Sequence, residues 1–315
     1  MKKILSLSLV ATAVLLNASE TANLEKIDVV ETTNSQIVKD VSDEQIKSAD
    51  LAEALSKNVP SISIVRRSGI ANDIILRGQK KDNINILLDD AKIHGACPNR
   101  MDPPTSHVLS NNVQSVKVIE GPYDVENFGT LSGLVKVETK EPTKDVHGEV
   151  NLNAGSFGYK KASATVSGGT DKFKLLVSTS TEEGDQYEDG NGNTFYEQQV
   201  ERGMKALPNA MNPAMPTDAT YINPKQEAFE KKTLLTKGQY NITDDSELKL
   251  SYTANRSDNI LYPTGTMDAD YDDSNIYTVG YTTRNLGELS KELDLDYYYS
   301  NVDHPMSTKL RNSGT

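Results

Sequence analysis

Past Pro142 the chain alternates apolar and polar residues with a period of two. Val150, Leu152 and Ala154 alternate with Glu149, Asn151 and Asn153, and Ala162, Ala164 and Val166 alternate with Lys161, Ser163, Thr165 and Ser167. The pattern returns at Phe173, Leu175 and Val177, at Leu248, Leu250, Tyr252 and Ala254, at Tyr277, Val279 and Tyr281, and at Leu293, Leu295, Tyr297 and Tyr299. Such alternation predicts antiparallel strands with one apolar face, about seven of them over 146–315. Tyrosines towards the strand ends are a mark of transmembrane β-barrels, although a soluble β-sandwich alternates in the same way. Connection lengths favour the barrel. The links at 168–171, 243–246 and 285–290 are short, those at 187–227 and 261–274 are long, and the two kinds alternate except at the brief link near Phe157. Short turns on one side and long loops on the other describe an outer-membrane barrel, with the long loops outside.

Residues 42–141 carry shorter, mixed elements. Ser42 and Asp43 cap a predicted helix that starts over 43–47, continues with Leu51, Ala52 and Leu55 at helical spacing, and stops at Pro60. Strand-like runs follow at 62–66, 73–77, 84–89, 113–120 and 133–139, an α+β pattern with room for one modest core. About seven strands with one lipid-facing side do not close a wide barrel, so the barrel is expected to be incomplete and the chain to be the amino-terminal part of a longer protein.

Lys2 and Lys3 precede an apolar run over 4–16 and the small residues Ala18 and Ser19, the layout of a secretory signal peptide over 1–18. No later stretch reaches the roughly 18 apolar residues that a membrane helix needs, which leaves any crossing to strands. A net charge of -12 argues against a nucleic-acid partner. No Ser/His/Asp arrangement, paired-carboxylate signal or phosphate-cradling loop appears, so no enzyme and no organic cofactor is expected.

Export also makes the single cysteine informative. Cys97 has no partner for an internal disulfide, and Met101 follows four residues on, with His304-Pro305-Met306 far downstream. Thiolate and thioether are soft donors that select Cu(I) over cations preferring carboxylate and water, and they suit zinc poorly. Pro98 between the two sulfurs fits a turn that aims both at one point, and Pro103-Pro104 stiffens its exit. Met306 is a third candidate ligand, from the outer end of the seventh strand. Met267, in the preceding long loop, is a fourth. His304 ranks below Met306, as a ligand, an outer group or a loop residue. His94 and His107 read as structural or solvated. Met204, Met211 and Met215 fit loop composition better than a copper relay, and the acidic clusters at 182–189 and 270–273 read as solvated external charge.

Several blocks taken in order resemble the TonB-dependent outer-membrane receptors. They are DLAEALSKNVP at 50–60, IILRG at 74–78, ILLDD at 86–90, VQSVKVIEGP at 113–122, then Phe128-Gly129, Ser132-Gly133 and VKVETK at 135–140. Two positions depart from the usual pattern: Glu120 stands where the family has Arg, and Asp90 where Gly often follows Asp. The resemblance implies an α+β plug domain over 42–141 followed by part of an antiparallel transmembrane β-barrel over 146–315. Over 19–41 it implies a linker with a TonB box at Ile27, Asp28, Val29, Val30, Glu31 and Thr32, a stretch that on residues alone reads as a frayed strand. The implied partners are the TonB energy-coupling complex and outer-membrane lipid, in a Gram-negative-type envelope. Cys97 with Met101, and His304 with Met306, resemble the Cys-x-x-x-Met and His-x-Met pair of the copper-receptor branch, which implies copper as the transported ligand. The alternatives are a receptor for a siderophore or another metal chelate, and a surface β-protein that binds without transporting.

Overall fold

The computed structural model describes the backbone over 35–39 and the residues 50–127, 129–206, 220–288 and 290–312. The signal peptide over 1–18, the TonB box over 27–32, the helix start over 43–47, Met211 and Met215 lie outside the described residues.

The first described helix, α1 (Leu51–Asn58), begins where a side chain replaces the missing intrahelical acceptor. Asp50 is extended, and its Oδ1 accepts the Ala52 N–H at 2.6 Å. Leu51, Ala52, Ala54 and Leu55 turn inward, and the helix gives way to extended backbone at Val59, since a following proline disfavours the helical region. The second Asp50 oxygen accepts the Asn72 N–H at 3.0 Å, so one buried carboxylate joins the helix to the hairpin β2 (Ile62–Val65) and β3 (Asp73–Leu76).

Beside them stands a five-stranded sheet in the order β1-β6-β7-β4-β5, built from β1 (Ser35–Lys39), β4 (Ile84–Leu88), β5 (Ala91–Lys92), β6 (Val113–Glu120) and β7 (Gly133–Thr139). Only β4 and β7 pair in parallel, and all five residues of β4 are buried, as befits a strand covered on both faces. The β4–β5 turn places Asp89 and Asp90 at φ 47° and 64°. Asp90 therefore adopts the left-handed backbone that a glycine takes more readily, and the Lys136 ammonium pairs with it at 2.7 Å. Glu120, the other departure from the family pattern, accepts the Ser61 hydroxyl at 2.6 Å.

The remainder is an antiparallel meander of seven strands: β8 (His147–Ala154), β9 (Lys160–Gly169), β10 (Phe173–Gly184), β11 (Phe229–Thr243), β12 (Ser246–Ile260), β13 (Asp268–Arg284) and β14 (Glu292–Asp303). A short β15 (Met306–Ser307) folds back onto the start of β13, and α2 (Phe195–Ala206) lies in the long β10–β11 connection.

The two faces of this sheet decide between barrel and sandwich. Ser163, Thr165, Ser167, Ser178, Ser180, Thr233, Asn255 and Ser257 are buried, whereas Val150, Leu152, Val166, Leu250, Leu295 and Tyr297 are exposed. A soluble sandwich buries its apolar face. Here the polar face is covered and the apolar one lies bare, which is the lipid-facing arrangement of a membrane barrel.

Strand β13 starts at Asp268, so the long link anticipated over 261–274 is shorter and Asp272 belongs to a strand. Asp272 is 1% exposed and Glu182 3% exposed, which corrects their reading as solvated charge. The cause is parity: both fall on the inward face of their strands.

Asp50 generates a pH prediction. Burial outweighs the hydrogen bonds that favour its charged form and pushes its pKa from 3.8 up to about 7. A folded value above the unfolded one means that the contribution to stability is fully present below about pH 3.8 and lost as pH rises through about 7. Asp50→Asn keeps an acceptor for the helix cap and does not titrate, so its denaturation midpoint should gain on the wild type across that interval. A difference that stays flat with pH would show that the carboxyl titrates alike in both states.

Candidate metal centre

The loop that carries Cys97 is folded by a carboxylate. Asp102, fully buried, accepts the Ala96 N–H and, at 2.9 Å, the Cys97 N–H. A Cβ on Gly95 would meet the Asp102 carbonyl at 2.5 Å, so glycine is what lets the chain close so tightly. The Cys97 carbonyl accepts the Arg100 N–H at 2.9 Å, completing a turn, and the Arg100 guanidinium reaches Asp82 at 2.7 Å. Past Pro103 a 3-10 turn at Pro104–His107 anchors the exit. Thr105 Oγ1 donates to the Asn72 carbonyl at 2.7 Å, and Lys231 of β11 donates to the Ser106 carbonyl at 2.8 Å. The loop is thereby tied both to the β2–β3 hairpin and to the meander.

Met101 and Met306 come together on one apolar cluster that includes Ile70, Phe229, Ile260, Leu261 and Tyr262. Tyr262 is its hub. Its hydroxyl donates to the Met101 carbonyl at 2.5 Å, and the His304 ring meets its own edge-on with centroids 6.1 Å apart. Burial, helped by the charges of Asp272, Asp102 and Cys97, holds the Tyr262 hydroxyl well above its ordinary pKa, so it stays a donor. Met306 is fixed by its pairing with Ala269 and by the Asp270 N–H donating to the Pro305 carbonyl at 3.0 Å. Cys97 is half-buried with a free thiol. Met267 is 43% exposed and does not pack on the cluster. Arg67 was not anticipated: its Nη1 lies 3.8 Å from Met101 Sδ, a hydrogen-bonding cation beside a candidate ligand.

A second set of donors adjoins the first. Asp102, Asp272 and His304 are all buried, with one ligand atom from each lying within 4.8 Å of the others. His107 is buried with neither ring nitrogen hydrogen-bonded, and His94 is exposed. The signal for Asp272 was present in the chain, because it shares parity with Ser274 and Ile276 on the face opposite Tyr277, Val279 and Tyr281. On the other flank a cavity of about 390 Å³ is lined by Arg66, Arg67, Arg202, Tyr187 and Phe195, among others.

Residues 26–133 match the family model of the TonB-dependent Receptor Plug Domain. The chain thus carries a TonB-dependent receptor plug domain, followed by an unclosed antiparallel sheet. Among solved structures it is similar to the copper transporter OprC, at 23% identity and a TM-score of 0.71 over 88% of this chain and 39% of that one. It is also similar to the siderophore receptor PirA from Acinetobacter baumannii, at 13% identity and a TM-score of 0.62 over 89% and 42% of the two chains. The FrpB iron transporter from Neisseria meningitidis matches at 18% identity and a TM-score of 0.58 over 83% and 40%. The chain thus spans about two fifths of the length of these structures. No curated protein sequence matches it.

If Asp102 holds the Cys97 loop, Asp102→Ala removes the acceptor of two part-buried amides and frees the loop to open. Alkylation of Cys97 by iodoacetamide should then accelerate by at least about 10-fold through local opening. An unchanged rate would place the constraint on the loop elsewhere.

Proposed function

We propose that this chain is part of an outer-membrane importer that binds Cu(I) through Cys97, Met101 and Met306 and is energised by TonB acting on Ile27 to Thr32. The observation that carries the reading is that Met101 of the plug and Met306 of the sheet pack on one cluster, whose hub Tyr262 grips the Cys97 loop. One thiolate and two thioethers form a soft set suited to Cu(I). The thioethers do not protonate at ordinary pH, and only the thiol must release a proton to bind. Met267, being exposed, and His304, facing carboxylates, stand outside this set. A metal bridging plug and sheet on the outer side would bias the plug, and pulling on its amino-terminal segment would open the path. That coupling comes from the family, as do the outer-membrane location and the absence of catalysis. OprC's name accords with copper, while the siderophore and iron receptors share the same fold.

A second reading has its own observation. Three arginines and two aromatic rings around the 390 Å³ cavity suit an anionic aromatic chelate.

Cu(I) titration and X-ray absorption on the full-length protein separate the two. Cys97→Ala, which removes the anionic donor, should weaken Cu(I) binding most, by more than about 100-fold, with Met101→Leu or Met306→Leu weakening it less. The absorption spectrum should be dominated by sulfur. Nitrogen and oxygen neighbours instead, or stoichiometric copper on a Cys97→Ala/Met101→Ala variant, would favour the chelate.

Energy coupling is tested separately. Val30→Pro deletes an amide that strand addition uses, so uptake should fall to background while external copper binding persists. Full uptake by that variant would show that TonB engages another segment.

A further inference from the structure

We infer that Arg67 sets the charge selectivity of the sulfur site: its guanidinium beside Met101 admits a soft monovalent cation and turns away soft divalent ones. The inference rests on the reading of Cys97 and Met101 as metal ligands, and it adds to them a residue that acts through its charge without binding the metal. Arg67 Nη1 lies 3.8 Å from Met101 Sδ. A metal bound to that sulfur at roughly 2.3 Å therefore comes within about 6 Å of the guanidinium.

The backbone of Arg67 is anchored and its charge is uncompensated. The Arg67 N–H donates to Asn72 Oδ1 at 2.8 Å, and the Asn72 carbonyl accepts the Thr105 hydroxyl at 2.7 Å. Asn72 thereby ties Arg67 to the exit of the Cys97 loop. Arg67 Nε is buried without a hydrogen-bond partner. Among the described residues no carboxylate pairs with Arg67, whereas Arg66 beside it reaches Glu53 at 3.5 Å and Arg100 in the loop reaches Asp82 at 2.7 Å. The charge of Arg67 is thus left to act on whatever occupies the sulfur.

Charge counting gives the discrimination its sign. A thiol releases its proton when it binds a metal. Cu(I) in place of that proton leaves the net charge of the site unchanged, whereas a divalent ion raises it by one unit. Arg67 is nearly indifferent to the first exchange and opposes the second. One unit charge about 6 Å from another, at an effective dielectric constant of about 20, changes an equilibrium constant by more than about 10-fold. Asp102 and Asp272, buried near Tyr262, attract a divalent ion, and Arg67 opposes that attraction beside the sulfur. Softness alone does not separate Cu(I) from Cd(II), since thiolate binds soft cations of either charge.

Ag(I) and Cd(II) make the comparison, because both are soft, neither is redox active under these conditions, and they differ by one unit of charge. The test titrates the full-length protein in detergent and chloride-free buffer with silver nitrate and with cadmium nitrate. Arg67→Met should raise the ratio of Cd(II) to Ag(I) affinity by more than about 10-fold. Arg67→Lys keeps the charge and should hold the ratio within about 3-fold of the wild type, which a role in packing alone would not do. In a Cys97→Ser/Met101→Leu background, Arg67→Met should no longer move Cd(II) binding. A ratio unchanged by Arg67→Met with Ag(I) still bound, or an equal rise with Arg67→Lys, would overturn the charge filter and leave the importer reading intact. Failure of the wild type to bind Ag(I) at Cys97 and Met101 would instead remove the site, and both readings with it.

Discussion

The buried carboxylate of Asp102 is the constraint on which the Cys97 loop and the residues around it depend. By accepting the amides of Ala96 and Cys97 it converts the run between Gly95 and Pro103 into a closed loop. The loop's position then follows from two further ties, the Tyr262 hydroxyl on the Met101 carbonyl and Lys231 on the Ser106 carbonyl. A charge fixed in this way lies out of reach of solvent screening, and its effect on neighbouring donors is correspondingly large. The same side chain that holds the Cys97 amide also faces Asp272 and His304.

Away from the apolar cluster around Tyr262, much of the contact between the plug and the sheet is polar for a related reason. The sheet's apolar face points away from the plug, so serine, threonine and a few charges remain to meet it. Lys237 pairs with Asp89 at 3.0 Å and Glu141 at 2.9 Å, and Lys161 contacts Glu182 at 3.5 Å and the Ser110 hydroxyl at 3.1 Å. Buried ion pairs of this kind add little net stability over an apolar contact, yet breaking one by removing a partner is costly. Water entering such an interface can replace each lost partner, which it cannot do for an apolar core.

The regular parts of the fold were legible because their signals are local. A period of two located six of the seven strands of the meander, all but β11, and β-like runs located five of the six later plug strands, all but the two-residue β5, within a residue or so. The boundary of α1 was missed because Ser42, Asp43 and Asp50 are all competent caps, and sequence alone does not rank them. Asp272 and Glu182 were misread because acidic residues near a strand end look solvated until something covers the inward face. Tyr262 gave no signal at all: one tyrosine among many in a loop becomes a hub only when a methionine carbonyl from a distant segment arrives beneath it. Cys97 stood out because it is the single cysteine of the chain and its chemistry is narrow. His304 was read beside Met306, whereas Asp102 and Asp272 were passed over, since carboxylates serve too many structural roles.

Arg67 connects the two flanks of the site in a way that composition alone conceals. Its Nη1 lies 3.8 Å from the Met101 sulfur, its Nε is buried without a partner, and it also lines the cavity with Arg66 and Arg202. A cation approaching Met101 meets a fixed like charge and has to displace it. Arg66 and Arg202 line the same cavity, and the three like charges repel one another. An anion in the cavity would relieve this repulsion and draw Arg67 away from the sulfur. One side chain, Arg67, thus borders both the arginine-lined cavity and the Met101 sulfur.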